Sequence, residues 1–199
     1  MPKIDLPTTV LIVPGLRDHV ADHWQTLLAA RLRNVRTVAP LERDKLSLAA
    51  RVAAIERELA SIDGPVVIVA HSAGAIMTAH WAVRGTRRIQ GALLATPADL
   101  ETPMPAGYPT LAALGENGWL PLPRRLLPFP SIVAASIDDP LARIERIRQL
   151  AHAWGSEFVN LGPVGHLNPT SGFGEWPRAM VIVEALAAGG LRVGSSASA

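Results

Sequence analysis

Six short apolar runs punctuate the sequence, and most are separated by segments of helical periodicity. They are TTVLIV (8–13), VRTVA (35–39), PVVIVA (65–70), GALLAT (91–96), SIVAAS (131–136) and EFVNLG (157–162). Most are apolar at consecutive positions, the pattern of strands covered on both faces. Between them, Leu48, Val52, Ile55, Leu59 and Ile62 recur with the period of a helix, as do Ile144, Ile147, Ala151 and Trp154. Strand and helix alternating in this way predict an α/β architecture: a mainly parallel sheet with helices on both faces. In such sheets the functional groups gather at the carboxyl ends of the strands.

The 199 residues suit a single domain over 1–190 with a proper core, followed by a flexible C-terminal tail at 191–199 that contains GSSASA. No apolar run is long enough to span a membrane. The opening MPKIDLPTTVLIVPG leads straight into a strand and does not read as a signal peptide. The absence of cysteine excludes disulfides, thiolate catalysis and Cys–zinc sites. A cytoplasmic location is the default expectation. The net charge of +2 and the short basic runs RGTRRI and PRRLL describe solvated faces, not a nucleic-acid surface. One region breaks the alternation. Residues 97–130 contain eight prolines, so a long irregular excursion is expected there, with a short helix near LAALGENGW.

The chemistry concentrates where PVVIVA runs into AHSAG at residues 70–74. A β-branched strand turns there into a helix within a few residues. This is a variant of the G-x-S-x-G turn that lifts a nucleophilic serine clear of a sheet. Ala70 and Gly74 meet the need for small residues on either side of Ser72. The N–H of Ala73, at the start of the following helix, is the expected first donor to an oxyanion. A second donor should come from the loop after the first strand, where the N–H of Leu16 follows Gly15. The competing reading of Ser72 is an ordinary helix N-cap.

A serine hydroxyl needs a base, and the base needs a carboxylate to hold it. In chain order Ser, acid, His, the candidates follow successive strands: Asp138 and Asp139 after SIVAAS, and His166 after EFVNLG. Adjacent side chains diverge, so only one of the two aspartates can reach His166. Asp139 is preferred, although it could instead cap a helix starting at Pro140. His71 is expected to point away from the reaction as a packing or supporting residue. His19 and His23 precede the serine, and His80 and His152 lie in helix patterns. In DHWQ (22–25), Asp22 is read as a helix N-cap with Gln25 reaching back to it. Trp24, Trp119 and Trp176 are read as core aromatics before pocket linings, and Asn168 and Ser171 as loop-structuring residues.

These segments together resemble a known family. LIVPGL, DHWQ, VIVAHSAG, LPFPSIVAASIDDP, AWGSEF and GHLNPTSGFGEWP, with their spacing, resemble small α/β-hydrolases of the retinoblastoma-binding-protein-9 type in their bacterial form. The resemblance spans Val10 to about Leu186. It implies a minimal hydrolase without a cap domain, with Ser72, Asp139 and His166 as its triad. The expected fold is then a three-layer α/β-hydrolase-like sandwich with strand order 2-1-3-4-5-6 and the 97–130 segment as a pocket wall. The expected function is a serine hydrolase acting on a small-molecule carboxylic ester, with an amide as second choice, and requiring no metal or organic cofactor. The alternatives are a catalytically weak binding protein on the same scaffold and an acyltransferase using the same acyl-enzyme. No nucleic-acid or membrane partner is expected, and the oligomeric state is not legible.

Overall fold

The apolar runs become strands, and each is covered on both faces where it runs through the middle of the sheet. The computed structural model describes residues 3–85 and 87–190, so the tail expected at 191–199 lies outside the described residues. The strands are β1 (Thr9–Val13), β2 (Val35–Thr37), β3 (Val66–His71), β4 (Gly91–Ala95), β5 (Ser131–Ala135) and β6 (Glu157–Asn160). All neighbours pair parallel, in the order β2-β1-β3-β4-β5-β6, as expected.

The helices are α1 (Trp24–Arg31), α2 (Leu48–Ala60), α3 (Ala73–Arg84), α4 (Leu111–Glu116), α5 (Ile144–Trp154) and α6 (Pro177–Ala187). Alternation along each strand assigns them to two layers. Leu11, Val13, Ile68, Ala70, Leu94 and Val133 point to one face, where they meet α2, α3 and α5. Val10, Ile12, Val67, Val69, Leu93 and Ile132 point to the other, where they meet Trp24 and Leu28 of α1 and Ala179, Val183 and Leu186 of α6. Ile68 and Leu94 are wholly buried. Truncating either to alanine should cost about 2–5 kcal/mol in lost burial and cavity formation. The two edges, β2 and β6, are short and partly exposed.

The proline-rich excursion leaves the end of β4 and crosses both the sheet's functional end and one helical layer. Its start carries Ala98, Leu100, Met104 and Tyr108. Its later part packs Trp119, Leu122, Leu127 and Phe129 against α2, α3 and α5. Among the described residues, α4 is the only helix it contains, so no cap domain stands over the sheet.

Two local expectations are corrected. Helix α1 is capped by His23, whose Nδ1 accepts the N–H of Gln25 at 3.2 Å; Asp22 is exposed and plays no part. The helix after β5 starts at Ile144 with Arg143 as its N-cap, not at Pro140. Pro140 instead lies in a turn, in which Asp139 Oδ1 accepts the N–H of Leu141 at 2.8 Å. Helix α6 begins with Pro177 in the position that suits proline's fixed φ.

Candidate active site

Strand β3 hands over to helix α3 through one residue. Ser72 has φ 57° and ψ −127°, a conformation that costs a non-glycine residue about 1–3 kcal/mol unless its surroundings enforce it. Here they do. The Ser72 N–H donates to the carbonyl of Ala95 on β4 at 3.0 Å, and the Ser72 carbonyl accepts from Ala75 at 3.0 Å. Small neighbours are a packing requirement. Ala70 is fully buried in the sheet, and a β-carbon on Gly74 would stand 2.6 Å from the Pro14 carbonyl oxygen. The first turn of α3 is thus pressed against the end of β1, and the serine hydroxyl projects from the crest. Ser72 makes no side-chain cap bond to α3, so the N-cap reading fails.

The hydroxyl meets a histidine at once. Ser72 Oγ lies 2.8 Å from His166 Nε2, and His166 Nδ1 lies 2.9 and 2.8 Å from the two carboxylate oxygens of Asp139. The ring and the carboxylate are 5% and 3% exposed, so the contact between them is shielded from water. Three residues distant in sequence meet here because each follows a strand: β3, β5 and β6.

Asp138 has a different task from its neighbour. Its Oδ1 accepts the Ser136 hydroxyl at 2.6 Å and the Gly165 N–H at 2.7 Å. These bonds, that from Ser136 first, hold its carboxyl below the ordinary range. Asp138 thereby ties the end of β5 to the loop that carries His166. On the far side of that loop, the His166 N–H donates to Ser171 Oγ at 3.0 Å, and Asn168 Oδ1 accepts the Ser171 N–H at 2.9 Å. Asn168 and Ser171 structure the loop, as expected.

Gly15 brings the loop after β1 onto the serine: a β-carbon there would stand 3.2 Å from Ser72 Cβ. The next amide is Leu16, and the first amide of α3 is Ala73. Neither N–H has a hydrogen-bond acceptor among the described residues. Both belong to residues lining one cavity with Ser72 and His166. That cavity has a volume of about 120 Å³. Its apolar wall is Leu16, Ala98, Leu100, Met104, Tyr108 and Leu141, so the start of the 97–130 segment lines the pocket as expected. The Arg17 guanidinium stands 5.4 Å over the Tyr108 ring and joins the two lips. Trp24, Trp119 and Trp176 do not line it. Trp24 and Trp119 are buried in the core, and Trp176 packs edge-on against Trp24.

His23, Gln25 and the anchor of the pocket wall take part through contacts that the local sequence does not reveal. His23 is buried beside His71, ring centroids 4.5 Å apart, and His71 is 4.9 Å from His166. Burial first, and then the neighbouring His166, push the His23 pKa down to about 4. His71 is held well below the ordinary histidine range, again by burial first and then by His166 and His23. Gln25 donates from Nε2 to the carbonyls of Val69 at 3.0 Å and Val13 at 3.3 Å, bridging the ends of β3 and β1 under the turn. The wall segment at Ala98 and Leu100 is anchored through Asp99, which is paired with Arg146 of α5. No sequence signal marks Asp99 and Arg146 as partners, 47 residues apart. His80 Nε2 donates to the Trp119 carbonyl at 3.1 Å, while His19 and His152 are exposed, so none of the three enters the site.

No helix among the described residues is long and apolar enough to cross a membrane. None of the curated proteins matches the chain significantly. Among solved structures, the chain is similar to a protein assigned as a YdeN-like hydrolase from Pectobacterium atrosepticum, with 29% identity, a TM-score of 0.77 and 91% of each chain covered. It is also similar to the ydeN gene product of B. subtilis, with 18% identity, a TM-score of 0.70, and 90% and 98% of the two chains covered. The RedJ thioesterase of the prodiginine pathway in Streptomyces coelicolor shares the fold at 15% identity and a TM-score of 0.59, with 92% and 91% covered. The sequence profile of the family described as serine hydrolase matches residues 10–185. The parallel sheet, the serine turn and that match together assign the chain to the serine hydrolase family, with an α/β-hydrolase fold.

Proposed function

We propose that the protein cleaves small carboxylic esters through an acyl-enzyme on Ser72, with Asp139 and His166 completing a triad. The observation that carries this reading is the continuous hydrogen-bonded series from Ser72 Oγ through His166 to the Asp139 carboxylate. His166 Nε2 takes the hydroxyl proton as Oγ attacks the ester carbonyl, and Asp139 holds the ring and stabilises its cation. The carbonyl oxygen becomes an oxyanion, which the Leu16 and Ala73 N–H groups receive. Losing one such donor costs roughly 10²–10³-fold in rate. Collapse breaks the bond to the leaving alkoxide, which departs with the proton from His166. Water then loses its proton to His166 and attacks the acyl-enzyme, releasing the acid and restoring Ser72.

The pocket supports a substrate with a short apolar acyl group. Its volume of about 120 Å³ and its wall of Leu16, Leu100, Met104 and Leu141 offer apolar contact and little length. The test is a series of p-nitrophenyl esters from acetate to laurate, run beside a matched thioester and anilide. Oxygen-ester turnover peaking at short chains supports the reading. A rate that rises to laurate, or a preference for thioester or anilide, contradicts it. Turnover that requires an added alcohol or thiol in place of water would favour an acyltransferase.

A further inference from the structure

His71 immediately precedes Ser72 at the end of β3, and its Nε2 lies 2.9 Å from the main-chain carbonyl oxygen of His166. A carbonyl only accepts, so Nε2 carries the proton and, in the neutral ring, Nδ1 does not. The Thr96 hydroxyl reaches the same oxygen at 3.5 Å. On its other side, the His166 N–H is held by Ser171 Oγ. Both polar groups of the base's backbone are therefore fixed, and the carbonyl is fixed by the residue bonded to the nucleophile.

The contacts close a ring. Ser72 Oγ meets the side chain of His166, His71 Nε2 meets its backbone, and the 71–72 peptide bond joins the two donors. An imidazole is an expensive way to fill a buried site unless its hydrogen bond is needed. His71 is 5% exposed and packs against rings on both sides, a space that phenylalanine or leucine could fill.

We infer that His71 is a positioning residue: its Nε2–H sets the place of His166 relative to Ser72, so that the base meets the hydroxyl within hydrogen-bond reach. The inference rests on the triad reading given above. It acts through His166 and touches no substrate bond. Its neutral state also matters, because a second cation 4.9 Å away would oppose the imidazolium that forms as Ser72 attacks.

The test compares His71→Phe, which keeps a ring without the donor, with His71→Gln, which keeps a donor. Kinetics use p-nitrophenyl butyrate, and thermal unfolding checks that each variant is folded. His71→Phe should lower kcat by about 10–10²-fold, the scale of a misplaced reacting group, while KM stays near wild type. His71→Gln should recover most of that loss. A wild-type kcat in folded His71→Phe overturns the inference, as does equal impairment in both variants. If His71→Phe does not fold, ¹⁵N NMR of the wild-type ring at pH 7 decides. A neutral Nε2–H tautomer supports the inference, and an Nδ1–H or cationic ring overturns it. Ser72→Ala is run in parallel. Retained turnover there would overturn the nucleophile assignment itself, a result distinct from failure of the His71 variants.

Discussion

Gly74 and Val13 are in such close contact that no side chain fits between them. A β-carbon on Gly74 would stand 2.6 Å from the Pro14 carbonyl oxygen and nearer still to that of Val13. This contact seats the first turn of α3 on the end of β1 and holds Ser72 in its strained backbone conformation. Gly74→Ala must push the two elements apart. It should destabilise the fold by about 1–3 kcal/mol, as overpacking does, and lower ester turnover through displacement of the serine. Denaturant unfolding and ester kinetics on the same preparation check both effects.

Asp138 and Asp139 are neighbours with separable roles. Asp139→Asn removes the carboxylate that holds the His166 ring and should lower kcat by about 10⁴-fold, with stability changed far less. Asp138→Asn keeps one acceptor for the Gly165 N–H and should retain most of the activity. Equal losses in the two variants would refute the division of labour.

Acid should weaken the fold through its buried histidines. His23 takes up its proton near 6.5 in the unfolded chain but at about 4 in the folded one. Between those values the unfolded state binds more protons, so stability falls as pH drops through that window, and this group adds nothing further below it. The buried His71 and the partly buried His80, whose pKa values are also lowered, act in the same direction. Thermal unfolding between pH 7 and pH 4 measures the fall. His23→Asn keeps a capping acceptor for α1 without the titration and should flatten the slope.

The pocket wall depends on an ion pair. Asp99 is 2% exposed and bound by Arg146, and Arg146 also reaches Glu101 at 2.9 Å. Arg146→Ala leaves the Asp99 carboxylate with too few partners and should cost about 1–3 kcal/mol. Ala98, Leu100 and Leu141 lean on that anchor, so acyl-length preference should broaden in the same variant. An unchanged preference in p-nitrophenyl ester kinetics would show that the wall stands without it.

The legible part of this molecule is what local chemistry dictates. Consecutive β-branched and leucine residues mark β1, β3 and β4 because central parallel strands need apolar side chains on both faces. The AHSAG turn is legible because sterics permit only small residues on either side of Ser72. The order Ser72, Asp139, His166 follows because each residue trails a strand. The misread parts depend on partners far along the chain. Asp22 looked like the cap of α1, but His23 is carried inward by packing against His71 and caps the helix from there. Gln25 looked like a local capping partner, yet its amide is spent on the Val13 and Val69 carbonyls. Asp139 looked able to start a helix at Pro140, but its carboxylate is taken by His166 and the helix waits until Ile144. Asp99 and Arg146 carry no pattern at all, because their meeting is set by how α5 packs beside the excursion after β4.

The whole proposed reaction depends on activation of Ser72 by His166. The direct measurement is covalent labelling by a fluorophosphonate probe, with the labelled peptide identified by mass spectrometry in wild type, Ser72→Ala and His166→Ala. Wild type should label rapidly at Ser72, Ser72→Ala not at all at that site, and His166→Ala far more slowly. Folded wild type that does not react, or that reacts as fast without His166, would contradict it.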